Sequence, residues 1–316
     1  MISIAIAGST NYTAQCAVAL ASQADYDISL ILTPTAKPSG RKKVLQENPL
    51  TIFAQESNIP TVKISGKITE QTKIELSQYS PPDYLFVADF GYWIPTWLQN
   101  WPKMKTLNIH PSALPRWRGS SPGQFTLLSG EQESAVSLID VVAEMDAGEV
   151  YWQKKFTVEP TWTQTEYYDY AYTLAAKELP SILRQIHGGE LLAKTQPIES
   201  PTPVARKLSR EDGFVTWRVL EKVLANEAVA VQPGDLSELL TQAKTADRSI
   251  SEVLETASRA LSPWPQLWTE VPTKKGLQRM KIHSIENTTN QFELKTVQLA
   301  GQQPARWEQV KSVIIG

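Results

Sequence analysis

The 316-residue sequence predicts an α/β fold: a Rossmann-like, mostly parallel sheet followed by a smaller, OB-like β-barrel. Three observations carry this. The first half alternates apolar strand-like runs with helical patterns, the rhythm of βαβ units. Its opening run, Ile2 to Ala7, is apolar without alternation, as expected of a strand covered on both faces. Beyond Lys207 the pattern changes to short strand-like segments, which suit a small barrel.

After the first strand, Gly8-Ser9-Thr10-Asn11 turns into an alanine-rich helix over 14–21. Further strands are predicted over 28–32, 84–88, 106–110 and 135–142. The first turn holds only Gly8 and not a full G-x-G-x-x-G, so a nicotinamide-type dinucleotide site has weak support. Residues 163–187 form the strongest helical pattern, with Tyr167, Ala171, Leu174, Ala175, Leu179, Ile182 and Ile186 at i, i+3, i+4 steps. Pro180 predicts a kink or break within it, and Gly188-Gly189 a stop. The first domain is therefore expected over 1–189. A linker with Pro197, Pro201 and Pro203 is expected over 190–205, and the second domain over 206–316. Within the latter, 221–258 reads as helical and polar, and 267–271, 280–285 and 291–297 as strands.

Composition excludes several classes. With 31 basic and 33 acidic residues the chain is slightly acidic, so any nucleic-acid contact must come from local patches. Charge is uneven, however. Residues 259–316 hold Arg259, Lys274, Lys275, Arg279, Lys281, Lys295, Arg306 and Lys311 against Glu270, Glu286, Glu293 and Glu308. One cysteine, Cys16, permits no internal disulfide and fits a reducing, cytoplasmic setting. His110, His187 and His283 have no zinc-type spacing with it, so no metal site is expected. The start lacks a basic region before its apolar run and reads as a strand, not a signal peptide. No apolar run reaches the ~18 residues of a membrane span, and no membrane partner is expected.

The chemistry concentrates in Leu107-Asn108-Ile109-His110-Pro111-Ser112 and the proline-stiffened loop that follows. Asn108 and His110 lie two apart on a strand and so share a face. An amide there can donate to a developing oxyanion, and an imidazole can donate or shuttle a proton near neutral pH. Asp146, before Gly148, sits on a tight loop after a strand, where its carboxylate could orient His110 or relay a proton. Residue type alone leaves bland readings open. Asn108 and His110 could be ordinary strand-end polar groups, Asp146 a turn cap, and the basic stretch 41–43 a solvated loop.

Taken together, Asn108-x-His110, Ser112-Ala113-Leu114-Pro115, Arg118-Gly119 and Asp146-x-Gly148 resemble the signature of folate-dependent formyltransferases. The wording Leu114-Pro115-Arg116-Trp117-Arg118-Gly119 is most similar to members that formylate a charged initiator tRNA. The resemblance implies Asn108, His110 and Asp146 as the catalytic trio and 10-formyltetrahydrofolate as the donor. It implies a folate-contacting segment at Ser112, Ala113, Leu114 and Pro115. One pterin-pocket wall would hold Phe90, Gly91, Tyr92 and Ile94, and Val142, Ala143, Glu144 and Met145 would close the other side. Arg41, Lys42 and Lys43 resemble a basic loop that reaches the tRNA acceptor end. Lys207 and Arg210 fall where the tRNA-binding barrel of such enzymes begins.

The sequence also departs from that pattern. Ser134-Ala135-Val136-Ser137 replaces Thr-Gly-Val-Thr, Ala88-Asp89-Phe90-Gly91 replaces Ala-Tyr-Gly, and residues 222–250 look like an insertion in the barrel domain. The expected partners are a charged initiator tRNA and the folate co-substrate, with the chain a monomer. Residues 1–188 alone are expected to keep the folate pocket. The alternatives are transfer to a small amine, such as an amino sugar or purine precursor, or a non-catalytic folate- or RNA-binding relative.

Overall fold

A computed structural model describes residues 1–39, 44–288 and 291–315. Its elements run β1 (Ile2–Ala7), α1 (Asn11–Ala21), β2 (Tyr26–Pro34), β3 (Lys37–Ser39), β4 (Val44–Gln46), α2 (Pro49–Glu56), β5 (Thr61–Ile64) and α3 (Glu70–Leu76). There follow β6 (Tyr84–Ala88), α4 (Thr96–Gln99), β7 (Lys105–His110), α5 (Pro122–Ser129), β8 (Glu133–Asp140), β9 (Val150–Thr157) and α6 (Gln164–His187). Helices α7 (Trp217–Leu224), α8 (Glu238–Ala243) and α9 (Ile250–Ala260) precede β10 (Leu267–Thr273), β11 (Gly276–Thr288), β12 (Gln291–Leu299), β13 (Ala305–Arg306) and α10 (Trp307–Val310).

The chain divides into two compact units. The first comprises Met1–Gly119, Ala135–Phe156 and Asp169–Val204; the second comprises Ser120–Ser134, Thr157–Tyr168 and Ala205–Gly316. Residues 120–134 and 157–168, inside the span expected for the first domain, thus group with the C-terminal residues. The segment 190–204, expected as linker, groups with the first unit.

The first unit is built on a seven-stranded sheet of order β5-β2-β1-β6-β7-β8-β9. Strands β5, β2, β1, β6 and β7 run parallel, and β8 is antiparallel to β7. The chain builds outward from β1 to one side through β2 and β5, then to the other through β6 and β7. The order therefore switches at β1 and β6, where open α/β sheets form ligand crevices at their carboxyl ends. Gly8 ends β1 there, and a Cβ on it would stand 2.7 Å from the Ala88 carbonyl oxygen, so only glycine fits. Ile4, Ile6, Leu30, Leu32, Leu85 and Phe86 are buried along the central strands, which accounts for their apolar runs.

Pro180 does not break α6, which continues through it. Proline removes one N–H, but Ala171, Ala175, Leu179, Ile182 and Leu183 stay buried along one face, and that packing outweighs one lost bond. The Tyr26 hydroxyl donates to the Pro180 carbonyl.

The second unit carries a four-stranded antiparallel sheet, order β10-β11-β12-β13. Helix α9 begins at a capping box in which Ser249 and Glu252 satisfy each other's backbone N–H groups. Arg259 from its last turn pairs with Glu255 at 2.6 Å and donates to the Trp162 carbonyl at 2.7 Å. Trp268 on β10 packs against Phe214, donates to the Arg210 carbonyl at 2.8 Å and carries the Arg279 guanidinium 4.6 Å above its ring.

Asp212 anchors the entry to this unit. Burial alone would raise its carboxyl, but Arg206 (2.6 and 2.9 Å) and the Ser209 N–H (2.6 Å) hold it below the usual carboxylate value. A lowered folded-state value contributes stability that is present above the unfolded value of 3.8 and lost as pH falls through the lower folded one. Asp212→Asn is therefore expected to lower the urea midpoint at pH 7, with the gap from wild type closing in strong acid. Urea titrations across that range check this; a gap independent of pH contradicts it.

Candidate active site

Strand β7, beside β6 in the sheet, brings Asn108 and His110 to one face at its carboxyl end, as the two-residue period requires. His110 is only 4% exposed, while Asn108 is half-exposed. The Nε2 of His110 lies 3.0 Å from the Trp117 carbonyl oxygen. A carbonyl can only accept, so Nε2 carries the proton. Nδ1 faces Asp146 Oδ2 at 3.5 Å. The same Oδ2 accepts the Gly119 N–H at 2.8 Å. One carboxylate oxygen thereby links the imidazole to the loop that follows β7.

Two residues beside this imidazole hold left-handed backbone: Trp117 at φ 56° and Asp146 at φ 54°. Asp89, at the carboxyl end of β6, is a third at φ 45°. Such conformations are strained for residues with a Cβ, especially a tryptophan, and mark places where the surroundings impose geometry. Here the imposed geometry points the Trp117 carbonyl at His110.

The loop is tied down along its length. Ser112 is buried and its hydroxyl donates to the Arg116 carbonyl at 2.7 Å. The Ser137 hydroxyl donates to the Ser112 carbonyl at 2.8 Å, and the Gln153 amide to the Leu114 carbonyl at 3.0 Å. Leu114 is buried, whereas Ala113 and Pro115 are half-exposed.

Around the site, Phe90, Tyr92, Trp97, Trp101 and Val141 pack onto a core of Leu85, Val87, Ile94 and Leu98. The Phe90 and Tyr92 rings stand 5.1 Å apart. Gly91 is exposed, and nothing lies within 4 Å of where its Cβ would be. A groove of about 480 Å³ lies at the amino end of β7, between Thr96, Gln99, Lys103, Lys105, Asp140 and Val142, and none of Asn108, His110 and Asp146 lines it. Glu144 and Met145 are exposed, and the Glu144 carboxylate comes within 3.8 Å of Arg118.

Gln196, Ser200 and Thr202, which the sequence reading did not single out, complete the site together with Arg118 of the signature motif. Buried Arg118 gives Nε and Nη2 to Gln196 Oε1 at 3.1 and 3.0 Å. Gln196 in turn donates to the carbonyls of Asp146 (2.9 Å) and Gly148 (2.6 Å). The Ser200 hydroxyl donates to the Pro115 carbonyl at 2.8 Å, and Thr202 Oγ1 accepts the Trp117 N–H at 2.7 Å. Their only trace in the sequence is an even spacing of Gln196, Ser200 and Thr202 among Pro197, Pro201 and Pro203.

Other expected residues lie elsewhere. Lys207 and Arg210 are exposed on the second unit. Arg41, Lys42 and Lys43 lie outside the described residues. Cys16 is buried, and burial pushes its thiol up to about 12, which keeps it inert. Among the described residues no group of three or more His, Cys, Asp or Glu side chains is placed to hold a metal ion, and no helix is long and apolar enough to cross a membrane.

A doubly wound sheet with an amide, an imidazole and a carboxylate gathered at the carboxyl end of β7, the strand beside β6, is a fold and site suited to acyl transfer. The formyl transferase family model matches residues 1–183, and the chain belongs to that family. It is 26% identical over 297 residues to the methionyl-tRNA formyltransferase of Mesoplasma florum, a match covering 93% of this chain and 82% of that one. Its fold is similar to the solved methionyl-tRNA formyltransferase of Clostridium thermocellum, with a TM-score of 0.58 at 13% identity over 95% of this chain and 99% of that one. It is nearly as similar to WlaRD, a sugar 3N-formyl transferase, with a TM-score of 0.57 at 17% identity over 96% of this chain and 99% of that one.

Proposed function

We propose that this formyltransferase moves the formyl group of 10-formyltetrahydrofolate onto the free amine of a charged initiator methionyl-tRNA. The observation that carries the chemistry is the triad geometry: Asn108 beside His110 on one strand face, and Asp146 at 3.5 Å from the imidazole. The similarity to relatives named for methionyl-tRNA over about nine-tenths of the chain supports the acceptor.

The neutral acceptor amine attacks the formyl carbon, and its new C–N bond leaves a negative charge on the formyl oxygen. Asn108, whose side chain takes no part in the hydrogen bonds around His110, donates to that oxygen. His110, oriented by Trp117 and Asp146, adds its polarised edge on the same face. The bond from the formyl carbon to N10 then breaks, one proton leaves the attacking nitrogen, and one reaches N10. Asp146 holds the imidazole, and a water beside it relays the proton. The aromatic wall of Phe90 and Tyr92 suits a flat pteridine, with backbone groups of 142–145 reading its edge. Lys207 and Arg210, with Arg41, Lys42 and Lys43, contact the tRNA backbone in this reading. The setting is cytoplasmic and the chain monomeric.

The test offers 10-formyltetrahydrofolate with charged initiator tRNA, charged elongator tRNA, and amino-sugar nucleotides or other small amines. Preference for the initiator tRNA is expected, with a salt dependence that flattens when Arg41, Lys42 and Lys43 become alanine. Transfer to a small amine alone replaces the acceptor; transfer to none of them removes the reading.

A further inference from the structure

Both partners of the His110 imidazole are themselves held from one short stretch of chain. Trp117, whose carbonyl meets Nε2, has its N–H on Thr202 Oγ1 at 2.7 Å. Asp146, whose carboxylate meets Nδ1, has its carbonyl on Gln196 Nε2 at 2.9 Å. Between them, the carbonyls of Pro197 and Ile198 accept from Arg118 at 2.7 and 3.1 Å. The stretch 196–202 therefore spans the two sides of the imidazole and is bonded to each. We propose that Gln196 and Thr202 are positioning residues for formyl transfer: they fix the orientation of His110 through Asp146 and Trp117, without touching either substrate. This rests on the formyl-transfer reading given above.

The physical argument is one of strain and leverage. Trp117 and Asp146 both hold left-handed backbone, and side chains with a Cβ leave that region when nothing holds them. The Thr202 bond is made to the peptide N–H of Trp117, and the Gln196 bond to the peptide oxygen of Asp146, so each restrains the strained residue directly. Gln196 is buried, and its oxygen is already engaged by Arg118 while its amide reaches two carbonyls. The Gln196 oxygen and amide are thus all engaged by protein groups, which makes its restraint stiff.

Three full-length variants test it. Thr202→Val is nearly isosteric but cannot accept the Trp117 N–H; Thr202→Ser keeps the acceptor. Gln196→Glu keeps the oxygen for Arg118 but removes the donors to Asp146 and Gly148. Thr202→Val and Gln196→Glu are each expected to lower kcat by ~10-fold or more, as small misplacements of a catalytic group do, with folate Kd and acceptor KM little changed. Thr202→Ser should recover most of the loss. At fixed pH, the 15N resonances of the His110 ring should move in Thr202→Val and coincide with wild type in Thr202→Ser. An unchanged kcat in Thr202→Val, equal impairment of Val and Ser, or slowed transfer with unmoved His110 nitrogens each overturns the proposal. If the wild-type chain formylates none of the acceptors, the function assignment falls. The ring resonances then still decide whether Thr202 orients His110.

Discussion

Replacing Asn108 by alanine is expected to slow formyl transfer by ~100- to 1,000-fold, the usual loss on removing one donor to a developing oxyanion, about 2.7–4 kcal/mol of barrier. Replacing His110, the group that Trp117 and Asp146 orient beside that oxygen, is expected to slow it comparably. The two substitutions differ in what else they disturb. Asn108 is half-exposed and takes no part in the bonds that hold the loop, so its loss should leave stability nearly unchanged. His110 is buried, and its removal breaks the bond between Nε2 and the Trp117 carbonyl and takes the imidazole from Asp146. That variant is expected to lose about 1–3 kcal/mol of stability besides its activity. Single-turnover transfer beside urea unfolding separates the two effects. A transfer rate within about threefold of wild type in either variant would remove the role given to that residue under oxyanion catalysis.

The largest structural effect is expected at Gly148. A Cβ there would stand 1.9 Å from the Asp140 carbonyl oxygen and 2.7 Å from its carbon, a clash with backbone that no side-chain rotation relieves. The two segments are also bonded at this point, with the Asp140 N–H on the Glu149 carbonyl at 3.0 Å. Gly148→Ala must therefore push β8 away from the start of β9, at a penalty on the order of 4 kcal/mol or more, the range reserved for overpacking and strain. The displacement acts two residues from Asp146, so transfer should fail even where the chain folds. Gly91→Ala is the matching control, since that Cβ would meet nothing within 4 Å. Urea midpoints of the two variants check this; a Gly148→Ala midpoint equal to that of Gly91→Ala would falsify the packing argument.

The central strands were legible because a parallel strand covered on both faces must be apolar throughout, as Ile4, Ile6, Phe86 and Leu107 are. Strand β9 was not, because Gln153, Lys154 and Lys155 sit on a sheet edge and break any apolar run. Strand β5 is four residues long, too short for a period to declare itself. In the site, Asn108 and His110 could be paired from strand spacing alone. The role of Trp117 could not, since it acts through a main-chain carbonyl, which every residue has. Gln196 and Thr202 were hidden by their prolines. Proline-rich composition reads as a spacer, and no period in it announces that the polar side chains between the prolines bond to the loop after β7.

The division of the chain also sets an order of events during synthesis. Residues 120–134 and 157–168 leave the ribosome before Ala205–Gly316, the segment with which they form a compact body. The first body is complete only when Val204 has emerged, so vectorial folding closes it last at the stretch that includes Gln196 and Thr202. Until then two early segments wait without their partners, exposing Phe125, Leu127 and Leu128, which the finished fold buries. A ribosome stalled at residue 188 would thus present an unfinished catalytic body, and a fragment ending there would lack the bonds that hold Trp117 and Asp146 in place.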